Sequence, residues 1–119
     1  MALYHHSIGF PANFQAPKGS FKLRYGPHAM RAAGNDRYGD LTNLLPGELD
    51  TTKAKLVEVE MDEGRTVKLV YRVKANRDLD LVIAVCPGEP SWFVRTTWGN
   101  RRDDRHWTLQ RDRYEKVAA

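Results

Sequence analysis

Two histidines, His28 and His106, have the side chains in this sequence best suited to proton transfer near neutral pH, because an unperturbed imidazole titrates near 6.5 and serves as acid or base. His28 is followed by Arg31, Asn35 and Tyr38 at spacings of three, four and three, which is one stripe of a helix. His106 lies in a basic run with Arg101, Arg102 and Arg105, ahead of Trp107, Arg113 and Tyr114. Metal-free cleavage of RNA needs a base for the 2′-OH proton, a cation for the charge growing on phosphorus, and an acid for the leaving 5′ oxygen. His28, His106 and Arg31 are the expected catalytic set for that chemistry. Asn35, Tyr38, Arg101, Arg102, Arg105, Trp107, Arg113 and Tyr114 are the expected contacts to nucleic acid or to a partner protein. Arginine forks grip phosphate, and the aromatic rings stack on unpaired bases. The same side chains also have plainer uses. His28 can hydrogen-bond within a first helical turn, His106 can sit exposed in a loop, and the Arg31/Asn35/Tyr38 stripe can pin a helix to a sheet.

Other chemistries find little support. There is no Gly-rich phosphate loop, no Gly-X-Ser-X-Gly elbow and no His-Glu-X-X-His. The single cysteine, Cys86, closes an apolar run before Pro87 and is expected to be an inert core thiol. One cysteine excludes an internal disulfide and a cysteine-based zinc site, which fits a reducing cytoplasm. His5 and His6, near the beginning of the sequence, are expected to be an exposed pair without a role. No metal or other cofactor is expected.

A length of 119 residues with 41% hydrophobic content is one domain's worth of chain. The longest apolar run, Leu81–Cys86, falls far short of the roughly 20 residues that span a bilayer, and Met1–Phe10 carries no signal-peptide pattern. A cytoplasmic protein without membrane association is therefore expected. The net charge is +4. Six of the seven basic residues between Arg95 and Lys116 are arginines, which favours a phosphate-bearing partner. The interleaved Asp103, Asp104, Asp112 and Glu115 can equally close a surface ion-pair network.

These groups need elements to position them. Residues 1–20, with Phe10, Pro11, Phe14, Pro17 and Gly19, read as an extended arm. Residues 21–119 then form one domain. Phe21–Tyr25 alternates as a short strand. Gly26-Pro27 opens a helix running to about Arg37, and a second helical turn covers Asp40–Leu45. Four alternating or apolar segments follow: Val57–Met61, Val67–Val73, Leu79–Cys86 and Ser91–Trp98, with Trp92, Val94 and Trp98 sharing a face. The expected class is α+β, with one or two short N-terminal helices packed on a four-stranded, mainly antiparallel meander.

Tyr25-Gly26-Pro27-His28-Ala29 and Arg95-Thr96-Thr97-Trp98, in this order of parts, resemble the RelE/BrnT-like small toxin superfamily, whose members share the fold of barnase- and EndoU-type ribonucleases. Asp36-Arg37-Tyr38-Gly39 with Asp104, His106 and Thr108 is similar to small phage-type proteins. The resemblance implies a RelE-like fold and an RNA-directed, toxin-like protein, with metal-independent endoribonuclease activity as its form of catalysis. The alternative is a non-enzymatic protein that binds a host or partner protein through the same basic, aromatic surface.

Overall fold

The computed structural model describes residues 2–103 together with Tyr114 and Glu115. Alternating and continuously apolar segments favour strands over about half of this length. Seven form: β1 (Ala2–His5), β2 (Ser20–Tyr25), β3 (Glu48–Asp50), β4 (Ala54–Asp62), β5 (Arg65–Lys74), β6 (Leu79–Cys86) and β7 (Trp92–Arg101). They make one sheet in the order β1-β4-β5-β6-β7-β2-β3, with β2 parallel to β7 and every other neighbour antiparallel. Among the described residues one α-helix, α1 (Pro27–Gly34), packs along β7.

This overturns the expected α+β class and, with it, the RelE-like architecture that the resemblance implied. The protein is mostly β. The four segments of the expected meander correspond to β4–β7, with Ser91 just outside β7, but they are only the middle of a larger, curled sheet, extended by β1 at one edge and by β2 and β3 at the other. The helical content shrinks for local reasons. α1 stops at Gly34, and Asn35 caps it by donating its backbone N–H and its Nδ2 to the Arg31 carbonyl, both at 3.0 Å. The expected turn over Asp40–Leu45 is a single 3₁₀ turn, Thr42–Leu44, started by Asp40 Oδ1, which accepts from the Thr42 N–H and hydroxyl.

The β4–β5 hairpin turns through Glu63 and Gly64 at φ +49° and +79°, the two positive angles that a type I′ turn needs. One face of the sheet carries the main core, including Val59, Leu69, Tyr71, Leu81, Ile83, Val85, Trp92 and Val94, with Ala29 and Ala33 of α1. The opposite face has a second apolar group, Val70, Val82 and Ala84, with Trp98 against it. Trp92 and Trp98 therefore lie on opposite faces, contrary to the sharing expected from strict alternation. The cause is a bulge in β7: Val85 pairs with Val94 while Ala84 pairs with Thr96, leaving Arg95 as the extra residue. One inserted residue flips everything after it to the other face.

The segment 2–5 is stitched into the sheet as β1, in register with 58–61 of β4. Its outer edge meets Tyr114 in a parallel bridge to Leu3, and Glu115 N–H donates to the Leu3 carbonyl at 2.7 Å. Among the described residues, no helix is long and apolar enough to cross a membrane.

Candidate functional site

The parallel pairing of β2 with β7 ends at Tyr25–Val94, where the chain turns through Gly26 into α1. That turn is pressed on β7. A Cβ on Gly26 would stand 3.0 Å from the Phe93 ring, and the Arg24 guanidinium covers the same ring at 4.8 Å. The far end of the helical segment is tied down as well. Asp36 Oδ1 accepts the Gly99 N–H at 2.9 Å, and a Cβ on Gly99 would meet Leu41, Asp36 and Tyr38 at 2.9–3.2 Å. Held at both ends, α1 carries His28 in its first turn to the mouth of an open cleft of about 350 Å³.

The cleft is lined by His28, Glu58, Lys68, Arg95, Thr96 and Trp98 above a floor of Val70 and Ala84. Five elements contribute to it. Glu58 is 5% exposed and accepts the Tyr114 hydroxyl proton at Oε1. Its cross-strand partner on β1 is His5, whose ring lies 4.9 Å from that of Tyr114. Lys68 reaches Glu60 at 3.7 Å, while Arg95 stands exposed at the bulge. An imidazole, a carboxylate and two cations thus converge beside an indole and an apolar floor. This set can move a proton, hold a phosphate and seat a base.

The residues expected from the sequence are dispersed. His28 and Tyr114 meet the cleft, one directly and the other through Glu58. Arg31 is exposed on α1 and does not line the cleft. Asn35 caps the helix, and Tyr38, 40% exposed, stacks under the Arg37 guanidinium at 4.8 Å. Arg101 lies at the far end of β7, its carbonyl accepting from Arg72 Nη2 at 2.8 Å. The Arg102 guanidinium is taken up by Asp80 Oδ1 at 2.9 Å and by the carbonyls of Asn76, Arg77 and Leu79. Arg105, His106, Trp107 and Arg113 lie outside the described residues.

Sequence reasoning missed Glu58, Lys68, Arg95, Thr96 and Trp98 as site residues. The available signal was that Glu58 and Lys68 are polar positions of strands whose alternate residues are apolar. His5, expected to be exposed, is 1% exposed, with its Nδ1 2.7 Å from the Ser7 hydroxyl and accepting the Ser7 N–H at 3.2 Å. Among the described residues, no group of three His, Cys, Asp or Glu side chains is arranged to hold a metal ion. Comparison with known proteins finds no family model, no curated protein and no solved structure that matches this chain.

Proposed function

We propose that this protein is directed at RNA and that the His28 cleft is where it acts, as a metal-independent endoribonuclease. The observation that carries this is the convergence of His28, Glu58, Lys68 and Arg95 in one cleft. Together they supply what transesterification at phosphorus requires. The 2′-OH proton passes to a base, the 2′ oxygen bonds to phosphorus, the bond to the 5′ oxygen breaks, and that oxygen takes a proton from an acid. The products are a 2′,3′-cyclic phosphate and a 5′-hydroxyl, and no water or metal enters the balance. His28 and Glu58 are the proton-transfer pair, and Arg95 with Lys68 neutralises the phosphorane. Val70, Ala84 and Trp98 form the wall against which a base is held.

The test is cleavage of a single-stranded RNA in EDTA by the wild-type protein beside His28→Ala, Glu58→Gln and Arg95→Ala, with His106→Ala as a fourth variant. Glu58→Gln keeps an acceptor for the Tyr114 hydroxyl. The expected result is a cyclic-phosphate product and a loss of rate of about 100-fold or more for His28→Ala and Glu58→Gln. Wild-type protein that leaves RNA intact, or cleavage unchanged in His28→Ala, overturns the proposal.

A further inference from the structure

The same face of the sheet holds a second, larger cleft of about 750 Å³ whose charge is strongly one-sided. Strand periodicity puts the two clefts on one face. Lys68 and Val70 of β5 line the His28 cleft, and Arg72 and Lys74, the next residues of the same parity, line the larger one. On β6, Ala84 belongs to the first and Asp80 to the second. Lys68 and Lys74 are six residues apart, or roughly 20 Å along a strand that rises about 3.3 Å per residue.

The lining of the larger cleft contains Lys53, Lys55, Lys74, Arg72 and Arg102 against the single carboxylate of Asp80. Asp80 is bracketed by the two arginines, with Arg72 Nε 3.1 Å from Oδ2 and Arg102 Nε 2.9 Å from Oδ1. It is thus taken up by the arginines, and two further acids, Glu48 and Asp50, share with Lys53 and Lys74 the lining of an adjoining pocket. Lys53, Lys55 and Lys74 are exposed, and none of them closes an ion pair among the described residues. The Oδ1 of Asp50 is held by the Thr52 hydroxyl at 2.7 Å and N–H at 2.9 Å. These bonds first, and the nearby Lys53 charge after them, hold its carboxyl below the usual range, while the two residues form no ion pair within 4.0 Å. A concave wall of one sign focuses the field and concentrates a polyanion there.

We infer that the Lys53/Lys55/Lys74 cleft is a phosphate-binding extension of the RNA site, engaging the backbone several nucleotides away from the phosphate held at His28. This rests on the RNA-directed function proposed above and adds a substrate class to it. The ligand is a single-stranded RNA long enough to reach across the face. At the roughly 3.4 Å axial spacing of successive phosphates on one stacked strand, 20 Å corresponds to about six nucleotides. Oligomers shorter than that occupy one cleft only.

The test uses 2′-O-methyl oligouridylates, which cannot be cleaved by attack of the 2′ oxygen, of four and of twelve residues. Their binding to the wild-type chain and to K53Q/K55Q/K74Q is followed by fluorescence anisotropy between 50 and 300 mM salt, with circular dichroism to verify folding. The twelve-residue ligand is expected to lose about 10-fold or more in affinity in the triple variant at low salt. Its slope of log affinity against log salt should fall by about 2, at about 0.7 for each phosphate that is no longer neutralised. The four-residue ligand is expected to change by less than about threefold. Wild-type binding of the long oligomer with an unchanged slope in the triple variant overturns the extension and leaves the RNA site standing. No binding of either oligomer by the wild-type protein overturns both, and redirects the basic face to an acidic protein partner.

Discussion

Tyr71 lies at the centre of the main core at 2% exposure, and its hydroxyl has no hydrogen-bond partner among the described residues. Burial pushes its pKa up to about 12, as it does for Tyr25. The Tyr25 hydroxyl, by contrast, donates to the Pro46 carbonyl at 2.6 Å. The two tyrosines therefore predict opposite effects of losing an oxygen. Tyr71→Phe removes an unsatisfied polar group and should raise stability by about 1 kcal/mol, whereas Tyr25→Phe should lower it by about 1 kcal/mol. The sign with pH follows from the raised values. Because each phenol ionises more readily in the unfolded chain than in the folded one, stability is unaffected by their titration below pH 10 and falls as pH rises from 10 towards 12. Urea melts at pH 8 and pH 11 check both points, since Tyr71→Phe should shrink the alkaline loss. At this scale the sequence was legible by type but not by neighbourhood. His28 stands out because imidazole is chemically conspicuous. Glu58 reads as one more polar position of a strand until the β1–β4 register brings His5 and Tyr114 to it.

The strands of the central meander were legible because β4–β7 are eight to ten residues long, with alternation to fix a period in β4, β5 and β7 and a near-continuous apolar run in β6. β1 and β3, with four and three residues, carry almost none and are held by backbone pairing. The bulge at Arg95 was invisible for a related reason, since one extra residue leaves composition unchanged and only the partner strand reveals it. It also shapes the site, by moving Thr96 and Trp98 onto the face that carries Glu58 and Lys68. The β4–β5 turn gives this scale its test. Glu63 adopts φ +49° ahead of Gly64 at +79°, angles that suit Asn-Gly far better than Glu-Gly. Glu63→Asn should stabilise the protein by about 0.5 kcal/mol and Gly64→Ala should destabilise it by about 1 kcal/mol, both readable as shifts of the thermal midpoint in opposite directions.

At the scale of the whole molecule, the sheet joins segments far apart in the chain. β1 pairs with 58–61, residues 23–25 of β2 pair with 92–94, and Leu3 meets Tyr114. The expected class failed here because periodicity identifies strands but does not say that an early segment will return to lie beside a late one. Such distant pairing makes a high contact order, and refolding is expected on the millisecond-to-second scale typical of β-rich domains. Stopped-flow tryptophan fluorescence will check this, with loss of the whole amplitude in the mixing dead time counting against it. The parallel seam between β2 and β7 also has a consequence for synthesis in the cell. β2 emerges from the ribosome roughly seventy residues before its β7 partner, which at about 5–20 residues per second leaves its pairing edge open for several seconds. During that interval Phe21 can already pair with Leu49 of β3, but Leu23 and Tyr25 wait for β7, and this open edge is where a nascent chain is expected to associate with its neighbours.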